Sequence, residues 1–373
     1  MSVPVYFIDA RSTAAGASTV AKLARLFAQL KHDFPEAVQA ADLCAIKLHF
    51  GEMGNDGYIS PVHARTAADF VRQCQGHPFF TDTNTLYKGS RSNAVDHLAT
   101  ASAHGFVPET CGAPVLIACG LKSNDWRPVD LPAACRHFRQ AKIAGGILDA
   151  DSMIVLSHFK GHEMAGFGGA IKNLAMGCAP FSGKREQHCV TFQVRDKKCI
   201  ACGLCVQHCP AAAISLSEKA YAVIDGGRCI GCGECLAHCR PHAIAMNWEV
   251  GIAEFTEKMV EYALAALNGK AGRTLYISVV RAVVPLCDCV PWSDVPLVPD
   301  IGFLASTDPV AIDQAAFDLV KAAPVWPGSA LDGKAAAGDD KFTKLHPQTK
   351  PEIQLEYGQA IGLGSRDYRL VKL

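Results

Sequence analysis

The chain has 373 residues, enough for two or three folding units at roughly 150 residues each, and its 36 Lys plus Arg balance 36 Asp plus Glu. That balance excludes a basic field for nucleic acid, and 49% hydrophobic with only 19% charged residues excludes a disordered chain. No apolar run approaches the ~18 residues of a membrane helix, and Met1–Asp9 lacks the cationic start of a secretory signal, so the expected location is the cytoplasm, with neither membrane nor nucleic acid as partner.

In chain order, short β-rich apolar runs alternate with helical stretches. Val3–Ile8 reads as a buried strand and Thr19–Leu30 as a helix with an apolar stripe. Strand Ala45–Phe50 carries Lys47 and His49 on one side by alternation. Helix Val62–Cys74, strand Pro78–Thr81, helix Asn93–Ala103 and strand Val115–Ala118 follow; turn chemistry accounts well for Asp82 and Asn84 after the third strand. A helix is expected over Cys135–Leu148 and a strand over Met153–Leu156. Its continuation, Ser157-His158-Phe159-Lys160-Gly161-His162, places His158, Lys160 and His162 on one side. Parallel sheets bind ligands outside the carboxyl ends of their strands. Lys47, His49, His158, Lys160 and His162 are therefore the candidate catalytic residues of one cleft, with Lys172, Lys184 and His188 as second candidates. A lysine anchors phosphate or carboxylate and a histidine shuttles protons, so a small molecule with an anionic group is the expected substrate. The glycines of Ala165–Lys172 expose backbone N–H groups to an anion, although close helix–sheet packing explains them equally well.

Seventeen cysteines are the outlier, an odd number that rules out complete disulfide pairing. Eight lie between Cys199 and Cys239 in two copies of C-x2-C-x2-C-x3-C, thirty positions apart, each continuing to Ala-Ile. Three closely spaced thiolates wrap one four-iron cube while the fourth is carried to the other cube. Cys199, Cys202, Cys205 and Cys239 then hold one [4Fe–4S] cluster, and Cys229, Cys232, Cys235 and Cys209 hold the second. Paired zinc knuckles are the alternative, but zinc takes two pairs of ligands, not a duplicated run of four. The segment resembles bacterial two-cluster ferredoxins over about Val194–Asn247, departing at Arg240, where that family has Pro.

Beyond it come a helix (Ala253–Leu267), strands Thr274–Val280 and Ile301–Leu304, a helix from Pro309 to about Val320 capped by Asp308, a surface excursion over Pro324–Lys350, and a last helix near Pro351–Gly362. The nine remaining cysteines include Cys44, Cys74, Cys111 and Cys135 in settings where a small buried hydrophobe suffices, and Cys119 and Cys189 with no role assigned. Cys287 and Cys289 flank Asp288 in a loop that no packing pattern requires; with Cys178 they are read as ligands of a third metal ion or cluster, the alternative being free thiols.

The expected fold is α/β, a mainly parallel sheet with helices on both faces, interrupted by a small α+β two-cluster ferredoxin-like domain. Its domains are a discontinuous 1–193 plus 248–373 and an insert, 194–247. The non-ferredoxin portion resembles the DUF362 family, through Lys47–Asn55, Thr81–Tyr87, His158–Cys178, Cys287-Asp288-Cys289 and Ile301–Ala315. The resemblance implies an iron–sulfur protein and supplies no substrate. The expected function is a redox protein, an oxidoreductase in which two clusters relay single electrons between a soluble donor or acceptor and a site in the α/β domain. The alternatives are a metal or cluster carrier and a plain ferredoxin-type electron carrier.

Overall fold

The computed structural model describes residues 2–87, 89–188, 191–229, 234–247 and 251–373. Eight strands make the main sheet: β1 (Val3–Asp9), β2 (Leu43–Lys47), β3 (His77–Asp82), β4 (Val115–Ile117), β5 (Ser152–His158), β6 (Thr274–Val280), β7 (Gly302–Ser306) and β8 (Tyr368–Lys372), in the spatial order β8-β1-β7-β6-β5-β2-β3-β4. All run parallel except β7, which is antiparallel to both neighbours. The helices that cover it are α1 (Thr19–Asp33), α2 (Pro61–Gln73), α3 (Ala94–Ala103), α4 (Ala170–Cys178), α5 (Phe181–His188), α6 (Ile252–Ala266) and α7 (Pro309–Ala322). The expected α/β class with a mainly parallel sheet is what forms, and the insert region carries small antiparallel hairpins.

Alternation along buried strands explains why both faces are covered. In β5, Met153 and Val155 enter one core with Ile171 and Leu174 of α4 and Met259 of α6. Ile154 and Leu156 enter the other, with Leu26 and Phe27 of α1 and Phe70 and Val71 of α2. Each such side chain contributes roughly 2 kcal/mol on burial. No helix among the described residues is long and apolar enough to cross a membrane.

Two topological facts position the site. The chain moves from β2 outward to β3 and β4, then returns to place β5 on the other side of β2, so the strand order reverses between β2 and β5. A crevice opens outside the carboxyl ends at such a reversal. Because β7 runs back against β6, the connection between them begins and ends at that same pole and hangs over the crevice. It carries Cys287 and Cys289.

The insert sits on the crossover from β5 to β6, which are nevertheless adjacent and in register, Val279 opposite His158. It has its own two-stranded ladders, Thr191–Val194 with Ile244–Asn247 and Ile214–Leu216 with Ala222–Ile224. Cys189 and Cys232 lie outside the described residues.

Two expectations are corrected. Cys135–Leu148 is not a helix: Gln140–Ala144 pairs with Trp126–Asp130, and only Gly145–Leu148 is helical. The backbone N–H groups of Arg136, His137 and Phe138 donate instead to the buried carboxylate of Glu261 on α6, at 2.6–3.0 Å. The excursion after Pro324 is anchored, since Phe342 is buried against Phe159, Phe167 and Phe317. Finally, β8, which extends the sheet beyond β1, carried no expectation.

Candidate functional site

Lys47 closes β2. Its ammonium lies 3.0 Å from Asp82 Oδ1 at the end of β3 and donates to Asn173 Oδ1 of α4 at 2.7 Å. Gly177 makes this possible, because a Cβ there would collide with Lys47 Nζ. Burial alone raises the Asp82 carboxyl, but Lys47 and the other cationic neighbours, Arg91 at 3.8 Å among them, hold it well below the usual carboxylate range. Arg91 is itself buried, its Nε 3.1 Å from Glu52 Oε2 and an NH2 donating to Tyr87 Oη at 2.6 Å.

On the β5 side, His158 Nδ1 faces Asp288 at 2.9 Å, and its Nε2 faces the carbonyls of Arg281 and Ala282 at 3.0 and 2.9 Å. Lys160 Nζ is 3.1 Å from the other Asp288 oxygen. His158 and Lys160 outweigh burial and hold Asp288 well below the usual range. The loop is thereby pinned by its aspartate, while the flanking thiols face the cavity. Lys172 Nζ lies 3.1 Å from Cys287 Sγ. A hydrogen bond from Cys289, together with Lys172, holds Cys287 well below the ordinary thiol range, whereas that same bond and burial push Cys289 up.

These groups surround one cavity of about 620 Å³. It is lined by all five candidate residues, Lys47, His49, His158, Lys160 and His162, and by Lys172, Lys184 and His188. Five cationic side chains, Arg91 included, face two lining carboxylates, Asp82 and Glu163. Three of the histidines, His49, His162 and His188, are poor proton donors there. His49 is held between Gly51 N–H and the Arg91 guanidinium, both at 3.0 Å, and burial with Arg91 pushes it well below its ordinary value. Burial, with Lys172 nearby, does the same to His162 and takes His188 down to about 3. His158 has both ring nitrogens committed. Lys184, bonded to the Thr83 hydroxyl and to Ala179 O, is pushed down to about 8 by burial.

Several expectations change. Asp82 is an ion-pairing centre rather than a turn residue, while Asn84 does hold its loop, donating to Gly120 O at 3.1 Å. The glycine-rich turn before α4 is not an open anion site: Asp313 of α7 already accepts from Ala170 N and Ile171 N, at 2.7 and 2.9 Å, where Gly169 leaves room for it. Cys178 stands apart from Cys287 and Cys289. It ends α4, about 9 Å along the axis from Lys172, and its charged neighbours are Lys47, Asp82, Lys184 and Lys270. Cys287 and Cys289 line the cavity, whereas Cys178 is not among its lining residues. Arg91, Glu52 and Asp288 were missed by sequence reasoning. Asp288 was signalled by its place between two cysteines, but Arg91 and Glu52 lie in irregular loops without periodicity.

In the insert, Cys199, Cys202, Cys205 and Cys239 line one small cavity, three residues from the first copy of the repeat and one from the second. The copies are structurally matched. Ala212 and His242 both adopt left-handed φ, near 47° and 51°, and Ala213 N and Ala243 N donate to Cys209 Sγ and Cys239 Sγ at 3.2 and 3.1 Å. The rings of His208 and His238 stack at 3.6 Å. Arg185 of α5, beside Lys184, donates to Cys229 O at 3.2 Å and joins the insert to the cavity wall.

The family described as "Domain of unknown function (DUF362)" matches residues 44–318. No curated protein matches. Among solved structures the chain is similar to the lactate racemase apoprotein from Thermoanaerobacterium thermosaccharolyticum, at 13% identity over 69% of this chain and 49% of that one, with a TM-score of 0.33. It is also similar to a protein from Thermotoga maritima, at 8% identity over 72% and 52%, with a TM-score of 0.37. The chain spans about half the length of these solved structures.

Proposed function

The chain belongs to the DUF362 family, and since that description names no activity we propose, from the site itself, that it is an iron–sulfur redox protein acting on an anionic small molecule bound at the strand ends. One observation carries the reading: a cavity of about 620 Å³, within the range of small-molecule sites and lined by five cations, lies against the helix that contacts the cysteine-rich insert. A plain electron carrier has no use for such a cavity.

The insert's residues fit two [4Fe–4S] clusters. Cys199, Cys202, Cys205 and Cys239 face a common cavity, as ligands at four corners of a cube must, and Cys199, Cys209 and Cys239 accept backbone N–H bonds that favour anionic sulfur. Cys209, Cys229 and Cys235 would serve the second together with Cys232. Bound there, the clusters supply single electrons at low potential. In the α/β part, Lys160, Lys172 and Lys184 bind the anionic group. Asp82 and Asp288 fix the positions of Lys47, Arg91, His158 and Lys160, and the 281–300 loop limits access of water. Lys184 Nζ delivers or accepts the proton that accompanies reduction.

Anoxically purified protein should contain about eight iron and eight acid-labile sulfide per chain, with an EPR spectrum of two interacting spins after dithionite. Stoichiometric zinc without sulfide would sink the reading.

A further inference from the structure

Cys287 and Cys289 are not among the eight insert cysteines, and the geometry of their loop has a use of its own. The turn that bears them closes with Val290 N donating to Cys287 O at 3.1 Å. Its backbone is tied down on three sides. Asp288 O accepts from Glu52 N at 2.9 Å, Cys289 O from Tyr87 Oη at 3.1 Å, and Val290 O from Asn55 Nδ2 at 3.1 Å. Gly161 lets the preceding Pro285 lie directly on the backbone of the Lys160–His162 strand, where any Cβ would strike Pro285 O. A loop anchored this way holds two side chains in fixed register. The Asp288 carboxylate turns back to His158 and Lys160, and both thiols line the cavity, with Cys287 Sγ 3.1 Å from Lys172 Nζ.

We propose that Cys287 and Cys289 form a dithiol–disulfide centre that reduces an anionic low-molecular-weight disulfide bound in the cationic cavity. This names a substrate class for the site proposed above; it rests on that cavity and not on the clusters.

The two sulfurs are unequal, as exchange requires. Cys287, beside the Lys172 ammonium, is the attacking thiolate, and Cys289 keeps the proton. Cys287 Sγ attacks one sulfur of the substrate; a mixed disulfide forms, the substrate S–S bond breaks, and the first thiolate leaves with a proton taken from the cavity. Cys289 then gives up its proton to the second leaving thiolate and attacks Cys287 Sγ, closing the Cys287–Cys289 disulfide. The dithiol, present as one thiolate and one thiol, loses two electrons; the substrate and one added proton become two thiols. A thiol reductant restores the pair by the reverse exchange.

The probe is dithiobis(nitrobenzoate), an anionic disulfide whose thiolate product is coloured, with the pair followed by mass spectrometry of the tryptic peptide 282–321. In the parent protein this peptide should acquire an internal disulfide that dithiothreitol reverses. Cys289→Ser should stop at a stable mixed disulfide on Cys287. Lys172→Met should move the pH profile of Cys287 up to the range of an ordinary thiol. Both thiols remaining free in the folded parent, or a Cys289→Ser variant that carries no adduct, would overturn the inference. Iron and sulfide content separate this outcome from the cluster reading: full iron with inert thiols removes only the dithiol centre, and a cycling pair in iron-free protein removes only the clusters.

Discussion

Lys184 is held in a place that disfavours its charge. Burial lowers it from 10.5 to about 8, so between those values the unfolded chain binds the more protons, and stability rises with pH through that window. Below pH 8 the buried charge is present in full. Lys184→Met should therefore raise the urea midpoint at pH 7, with the gain shrinking from pH 8 towards 10.5; an equal gain at every pH would show that charge is not the cause. Asp288 works in the opposite sense. It neutralises Lys160 and anchors His158 with no exposure of its own, so Asp288→Asn leaves a buried ammonium without its partner. The expected loss is about 3–5 kcal/mol in urea unfolding at pH 7, far above the cost of an exposed pair such as Arg65–Asp69.

A single carboxylate can anchor a segment far from it in sequence. Glu261 on α6 accepts the N–H groups of three consecutive residues, Arg136, His137 and Phe138, and the hydroxyl of Tyr357. Those N–H groups would also be unpaired in the opening turn of a helix over Cys135–Leu148, so the carboxylate anchors the segment and the pattern after it sets the class. The residues that follow alternate, with Ala141 and Ile143 buried, and pair with Trp126–Asp130 as a hairpin arm. Glu261→Ala strands three part-buried N–H donors and the buried Tyr357 hydroxyl at once, at an expected cost of about 3 kcal/mol. Amide exchange should then accelerate first over 136–144. No local pattern announces this anchor, because Glu261 lies more than a hundred positions away. By contrast α1, α2, α6 and α7 were legible to within a few residues, since each shows its own apolar stripe, and Asp308 caps α7 by donor bonds from Val310 N and Ala311 N.

Across the whole molecule, what could be read in advance was what repeats or alternates. The sheet residues, the duplicated cysteine run, and the gathering of Lys47, His49, His158, Lys160 and His162 follow from strand direction and side-chain parity. What could not be read depends on closure in three dimensions: β8 at the far edge, Arg91 folded in from an irregular loop, and Asp313 seated on the first turn of α4. The placement of the insert between β5 and β6 has a consequence in time rather than in space. During synthesis β5 emerges well before β6, and until the cysteine-rich segment has been made the hydrogen-bonding edge of β5 that belongs to β6 has no partner. An open edge of that length invites pairing with other chains. Chains truncated before Thr274 should therefore aggregate where the full chain does not, as sedimentation of equal amounts would reveal. The growing protein thus passes through a vulnerable interval whose duration is set by how quickly the ribosome traverses a segment contributing nothing to the sheet it interrupts.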